Sequence, residues 1–337
     1  MCCNKACRKL SSYVDNFMNI FRDIRSSISK VHLHSSRECS AFRASKLNNM
    51  EGIKAMQDMG YTFNSNGQLR RIGANGKPTD EPFQFIISGD HQQCQAHYEE
   101  LGMAVTYYIY HLLETELKLQ KLLVPKNCVD GTFIFVSKEY EKKDVLMVLI
   151  HGSGVVRAGQ WARSVIINES LDAGSQIPYI KKAIAKGYGV MVLNTNDNYT
   201  MDGAPIPDSS NAEEHALCVW RTYISQTMAL SIVIVAHSYG GVVAVNLANE
   251  MRDDFEMRVK AVALTDSVHT YANKPITPCM KQISRNWISS QKALDVPMKT
   301  PDFEITRVSA GVERHERTSG ACIESVFKFI DQKLHED

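Results

Sequence analysis

Residues 232–241 read Ile-Val-Ile-Val-Ala-His-Ser-Tyr-Gly-Gly, an apolar run that leads at once into a serine and two glycines. With Ala236 and Gly240 at its small positions, this segment matches the nucleophile elbow, in which a serine occupies a strained turn between a strand and a helix. The residues two before and two after the serine come close together in that turn, so they must be small. A serine that merely ends a strand would not explain both small residues. We therefore predict that Ser238 is a catalytic nucleophile.

A glycine-rich turn precedes the elbow. The apolar run Val145–Ile150 is followed by His-Gly-Ser-Gly at 151–154, and glycine lets a backbone approach a substrate closely. Folds with a nucleophile elbow take one oxyanion donor from a turn of this kind and the other from the residue after the nucleophile, here Tyr239. A phosphate-binding loop fits poorly because the Lys-Ser/Thr ending is missing. We predict an oxyanion hole formed by Gly152, Ser153 and Tyr239.

The general base should be a histidine late in the chain, since this fold orders its triad as nucleophile, acid, base. His315 follows the predicted strand Ile305–Ser309 and precedes the last predicted helix, so we predict that it is the base. His269, on the loop after an earlier strand, is the alternative.

The acid of the triad is predicted to be Asp266, which comes directly after the apolar run Val259–Thr265. Many proteins of this fold place the acid one strand later, but only one later strand is evident in the sequence, which favours Asp266. Asp295 and Asp302 remain alternatives, and Asp266 could instead cap the loop that follows it.

The remaining pattern alternates strands and helices. This alternation predicts an α/β-hydrolase-like fold, with a mostly parallel sheet and helices on both faces. One long helix is predicted over 94–122, and small strands are predicted around a hairpin turn at 64–67 and over Phe83–Ile87. The other predicted strands are Thr132–Val136, Val145–Ile150, Gly189–Leu193, Ser231–Ala236, Val259–Thr265 and Ile305–Ser309, and the other helices cover about 176–186, 213–229, 239–251 and 321–334.

The first 50 residues differ in charge from the rest of the chain. Lys plus Arg total 38 and Asp plus Glu total 37, yet the first 50 residues hold nine basic and three acidic side chains. We predict a basic N-terminal appendage over 1–48, partly disordered or docked on the body, and a domain over 49–337. Lipid attachment at Cys2, Cys3 or Cys7, ahead of an amphipathic segment, is a weaker alternative. No apolar run is long enough to span a membrane.

Composition argues against several other classes of protein. The nine cysteines are scattered, with no CxxC pair and no zinc-type spacing, so we expect neither a metal site nor a cofactor. No RNA-recognition, zinc-finger or arginine-rich motif is present. Any contact with small RNA is therefore expected to be indirect, through partners.

Four segments together resemble a known family. They are LIHGSGVVRAGQWAR at 149–163, VAHSYGG at 235–241, ALTDSVH at 263–269 and VSAG at 308–311. Over roughly residues 50–333 the chain resembles the Arb-two (Argonaute-binding protein two) domain family, which includes animal co-transcriptional regulators. A similar domain is appended to fungal class II histone deacetylases.

The resemblance implies an adaptor in small-RNA-directed heterochromatin formation, gene silencing or splicing control. It implies partners that are Argonaute-type proteins or chromatin and splicing factors. It also implies a nuclear location, although the Lys/Arg-rich insertion of animal relatives is missing at 194–211, so both nucleus and cytoplasm are expected. The alternative function is an active serine hydrolase, an esterase or acyl hydrolase, because the triad residue types are intact.

Overall fold

The computed structural model describes residues 49–336, and the predicted appendage over 1–48, including Cys2, Cys3 and Cys7, lies outside the described residues. Residues 49–200 and 205–336 belong to one compact unit. No helix in this described part of the chain combines the length and apolarity needed to cross a bilayer.

The described chain forms a large sheet of eight strands and a small antiparallel sheet of three. The large sheet has the order β11-β10-β9-β8-β6-β7-β5-β4, and the small one has the order β1-β2-β3. The strands are β1 (Tyr61–Phe63), β2 (Leu69–Ile72), β3 (Pro78–Pro82), β4 (Gln120–Val124), β5 (Thr132–Val136), β6 (Val145–Ile150), β7 (Gly189–Val192), β8 (Ser231–His237), β9 (Val259–Thr265), β10 (Ser284–Ile288) and β11 (Arg307–Ser309). Strands β6 to β11 are all paired in parallel, and β5 runs antiparallel to both β7 and β4. The predicted fold class is therefore confirmed.

Helices cover both faces of the large sheet. Alternate residues of its central strands belong to two separate apolar cores: Val233 and Val235 to one, Ile232 and Ile234 to the other. This is why β8 reads as a continuous apolar run. The helices are α1 (Asn49–Asp58), α2 (His91–Thr115), α3 (Arg163–Asn168), α4 (Leu171–Gly174), α5 (Ile177–Ala185), α6 (Ala212–Thr222), α7 (Gly240–Glu250), α8 (Arg252–Arg258), α9 (Pro278–Ile283), α10 (Thr318–Ala321) and α11 (Ile323–His335).

Two predicted elements are wrong in the first third of the domain. The predicted helix over 94–122 ends at Thr115, and β4 follows it. Lys118 has a φ of 56°, a left-handed backbone that no helix continues through, and β4 then pairs with β5. No strand forms over Phe83–Ile87, where Phe83 buries its ring beside Tyr61 instead.

A second strand follows β9, whereas the sequence indicated only one. Strand β10 has the sequence Ser-Arg-Asn-Trp-Ile and lies between β9 and β11 in the sheet. Its mixed composition hides it, because only a continuous apolar run marks a buried parallel strand in a sequence. The strand count was therefore a wrong reason to favour Asp266. The contacts of each candidate carboxylate have to be compared instead.

Candidate active site

Ser238 lies in a tight turn between β8 and α7. Its φ is 53°, in the left-handed region that a non-glycine residue adopts only at a cost of about 1–2 kcal/mol. Its N–H donates to the Thr265 carbonyl at 3.0 Å, which ties the turn to the neighbouring strand. Gly240 begins α7 so close to β6 that a Cβ there would lie 2.7 Å from the Ile150 carbonyl oxygen. The packing of the turn thus explains the small residue that the motif requires.

The turn after β6 lies against the elbow. A Cβ on Gly152 would lie 3.0 Å from the Cβ of Ser238, so the two backbones meet closely. The side chain of Asn196 donates to the Gly152 carbonyl at 2.9 Å and to the Val156 carbonyl at 3.1 Å, which fixes the turn. Among the described residues, no acceptor takes the backbone N–H of Ser153 or Tyr239. Free N–H groups on either side of Ser238 are what an oxyanion hole needs.

Asp266 and His315 form a hydrogen-bonded pair. Asp266 Oδ2 accepts from His315 Nδ1 at 2.8 Å, and Oδ1 accepts from the Ser289 N–H at 3.0 Å. Burial raises the pKa of Asp266, but these hydrogen bonds outweigh it, so the net pKa is lowered and the carboxyl stays ionised. The backbone of Asp266 is also left-handed, with a φ of 46°. An ionised carboxylate on Nδ1 fixes the histidine tautomer and leaves Nε2 without a proton, which is the form that a general base requires.

Ser238 and His315 line the same cleft, together with Gly152 and Ser153. No hydrogen bond joins the Ser238 hydroxyl to the His315 ring among the bonds of residues 49–336. Such bonds are often long in a site without substrate and tighten when it binds. The structure therefore brings the predicted residues together, and their catalytic roles stay a prediction.

The alternatives to His315 and Asp266 lie in other surroundings. The His269 ring is buried between Ser267 and Glu304, outside the cleft. Asp295 accepts hydrogen bonds from the indole of Trp287 and the hydroxyl of Ser325. Asp302 is exposed and does not line the cleft.

His237, the residue before Ser238, packs against His315. Its Nδ1 donates to the Thr265 carbonyl at 2.9 Å, and its ring lies 4.7 Å from the His315 ring, centroid to centroid. Burial and, next, the nearby His315 lower the pKa of His237 to about 3. A neutral imidazole therefore packs beside the candidate base at neutral pH, without adding a second charge.

The cleft has a volume of about 230 Å³, and its walls include residues that the motifs did not single out. Trp161 is buried and forms part of the cleft wall. Trp161 and Arg163 both belong to the string at 149–163 that carried the family resemblance, and no other motif singled them out. The lining residues are Tyr98, Gly152, Ser153, Val155, Val156, Trp161, Ala162, Arg163, Ser164, His237, Ser238, His315 and Glu316.

A larger groove of about 540 Å³ runs between α5 and α11. Two of its three lysines are paired, Lys182 with Glu324 and Lys186 with Asp331 at 2.8 Å. It contains none of the predicted site residues, so the smaller cleft is the candidate active site.

The chain is similar to a known domain family, to curated proteins and to solved structures. The sequence matches the Arb2 domain over residues 54–294, a range that includes Ser238 and Asp266 and ends before His315. The Cotranscriptional regulator ARB2A homolog of Xenopus tropicalis is 40% identical, covering 85% of this chain and 81% of that protein. The Cotranscriptional regulator ARB2A of Homo sapiens is 39% identical, covering 81% of this chain and 79% of that protein. A solved histone deacetylase from Saccharomyces cerevisiae is 14% identical with a TM-score of 0.49, covering 70% of this chain and 98% of that chain.

Proposed function

Because the chain belongs to the Arb2 domain family, we propose that it acts in the nucleus as a co-transcriptional regulator. The observation that carries this proposal is the 40% identity, over 85% of the chain, to a protein named for that role. In this role the domain serves as an adaptor that binds an Argonaute-type protein or chromatin and splicing factors. Small RNA is reached only through those partners, in heterochromatin formation or splicing control.

Co-precipitation from nuclear extract tests the adaptor role, with recovery of an Argonaute protein measured by immunoblot. Ser238→Ala deletes one small polar group in the cleft, and a surface more than about 7–10 Å away should be unaffected. We therefore expect wild type and Ser238→Ala to recover equal amounts of the Argonaute protein. No recovery with either would contradict the adaptor role, and loss with Ser238→Ala alone would make binding depend on the active site.

A second candidate function is serine hydrolysis of an ester, an amide or another acyl group. The observation that favours it is the Asp266–His315 pair beside a serine with left-handed backbone. In this reaction His315 Nε2 takes the Ser238 proton as Oγ attacks the substrate carbonyl, and the N–H groups of Ser153 and Tyr239 stabilise the oxyanion. The same histidine then protonates the leaving group, and water releases the acyl group from the serine.

Labelling of the purified protein with a fluorophosphonate tests this function. Wild type should be labelled, and Ser238→Ala should lose labelling entirely while its melting temperature stays nearly unchanged. Ser164→Ala is the matched control, because Ser164 lines the same cleft without lying in the elbow. Equal labelling of wild type and Ser238→Ala would sink the hydrolase proposal.

A further inference from the structure

One wall of the cleft carries a buried cation without a counter-ion. Arg163 is only 8% exposed, yet it lines the same cleft as Ser238. Its Nε is buried and has no acceptor, and across the described residues the guanidinium makes no hydrogen bond or ion pair. Burial of an unpaired charge is costly, so such a group is rare without a ligand to meet it.

The fold holds this guanidinium in place with two residues of α2. Arg163 lies over the ring of Tyr98, with its Cζ 5.1 Å from the ring centroid. Gly102, one turn further along α2, leaves space for the side chain: a Cβ there would lie 2.6 Å from Cδ and 2.8 Å from Nε of Arg163. An aromatic face and a missing Cβ fix the cation while leaving its hydrogen-bond donors unused.

Two other partly buried arginines of the described chain, Arg258 and Arg307, each have a carboxylate partner. Arg258 binds Asp254 through Nε, and Arg307 pairs with Glu304. The carboxylate of the cleft, Glu316, binds Arg314 rather than Arg163. Arg163 is thus set apart from these by being both more buried and unpaired.

We propose that Arg163 is an anion-binding subsite of the cleft, so that the substrate carries a carboxylate or phosphate group a short distance from its scissile carbonyl. The fork of an arginine donates two parallel hydrogen bonds to such a group. A cleft of about 230 Å³ suits a short acyl chain rather than a lipid or a protein segment. The substrate class rests on the proposed hydrolase function, whereas the anion subsite does not.

A binding experiment tests the subsite without turnover. Full-length Ser238→Ala protein is titrated by calorimetry with glutarate, with inorganic phosphate and with neutral dimethyl glutarate. We expect the anions to bind and the neutral diester to bind at least about tenfold more weakly. Adding Arg163→Gln should weaken the best anion by about tenfold to a hundredfold, as expected when a charged hydrogen-bonding partner is removed.

Two further variants control for folding and for charge. Arg285 also stacks on aromatic rings, Trp287 and Phe329, but does not line the cleft, so Arg285→Gln should leave anion binding unchanged. Arg163→Lys keeps the charge and most of the stem, which covers the case in which Arg163→Gln fails to fold. It should bind several-fold more weakly than the arginine, because the bidentate fork is lost.

A kinetic experiment tests the substrate class. Wild type should hydrolyse mono-p-nitrophenyl glutarate with a higher kcat/KM than neutral p-nitrophenyl valerate. Arg163→Gln should lose this preference mainly through KM, since the anion contact lies away from the reacting carbonyl. If fluorophosphonate labelling fails but anion binding still depends on Arg163, the hydrolase function is rejected and the anion subsite stands. Anion affinity equal in wild type, Arg163→Gln and Arg163→Lys would overturn the subsite, even if labelling succeeds.

Discussion

Two histidine–carboxylate pairs lie near the elbow, one in the cleft and one in the interior. In the cleft, His315 is 46% exposed and Asp266 17% exposed at their side chains, with Nδ1 and Oδ2 2.8 Å apart. In the interior, His269 and Glu304 are each 1% exposed, with Nε2 and Oε1 2.7 Å apart but poorly aligned for a hydrogen bond. Both histidines follow strands of the same sheet, so sequence position alone does not separate them.

The two pairs differ in whether one nitrogen of the histidine ring has no protein group beside it. His269 has Ser267 Oγ at 3.0 Å from Nδ1 and a carboxylate beside Nε2, and Arg307 closes the group. His315 has its carboxylate on Nδ1 and, within the described structure, no partner on Nε2. A general base needs one free nitrogen that reaches the substrate. The interior pair is therefore suited to stability and the cleft pair to proton transfer.

The largest expected effect separates the two histidines by activity. His315→Gln should slow fluorophosphonate labelling by about 10³–10⁴-fold, because the serine loses its base. His269→Gln should leave the labelling rate of the folded protein within a few-fold of wild type. Labelling rates of both variants, at matched folded fraction from circular dichroism, check this. The reverse ranking would make His269 the base.

The next effect separates the two carboxylates by stability. Glu304→Ala should lower the free energy of unfolding by about 3 kcal/mol, since it leaves Arg307 and His269 without their buried carboxylate. Asp266→Asn should cost about 1 kcal/mol or less, because this pair is partly solvated and asparagine tolerates a left-handed backbone. Urea unfolding of the two variants measures the difference, and equal losses would contradict it.

The third effect is on how folding stability depends on pH. Burial and, next, Arg307 lower the pKa of His269 from 6.5 to about 4. Between these values the unfolded chain binds a proton that the folded protein does not, so folding stability falls as the pH falls from 6.5 to 4. The slope is about 1.4 kcal/mol per pH unit for this group, added to that of other buried histidines such as His237. His269→Gln should therefore flatten the measured slope by one proton.

Asp266 provides the control for the pH experiment. Its pKa is lowered below 3.8, so its contribution to stability is lost only as the pH falls through that lower value. Asp266→Asn should leave the slope between pH 6.5 and 4 unchanged. Urea unfolding across this range measures both variants, and a slope that His269→Gln does not alter would show that the ring is already protonated in the folded protein.

The smallest effect is expected from removing residues 1–48. Both histidine pairs and both apolar cores lie after Asn49, so a chain that starts there should unfold cooperatively, with a midpoint within a few degrees of the full chain. Thermal unfolding followed by circular dichroism tests the boundary. Aggregation of the shortened chain would contradict it.

Local sequence predicted the elements whose pattern is uninterrupted. The elbow around Ser238, the turn at 151–154 and the strand β9 before Asp266 are all continuous segments. Short apolar runs flanked by small residues encode them, because packing on both faces of a sheet and a tight turn each restrict residue type locally. The family resemblance rested on the same segments.

Tertiary structure alone decided the rest. It paired His315 with Asp266, 49 residues apart in the chain, and buried His269 beside Glu304. It also left Arg163 over the ring of Tyr98 without a carboxylate partner. It also added β10, whose mixed sequence carries no periodic signal. Burial, ring orientation and the choice between partners depend on residues far apart in the chain. The sequence by itself therefore determined most strands of the sheet and the elbow that carries Ser238. Only packing determined which histidine and which cation line the cleft, and which carboxylate pairs with that histidine.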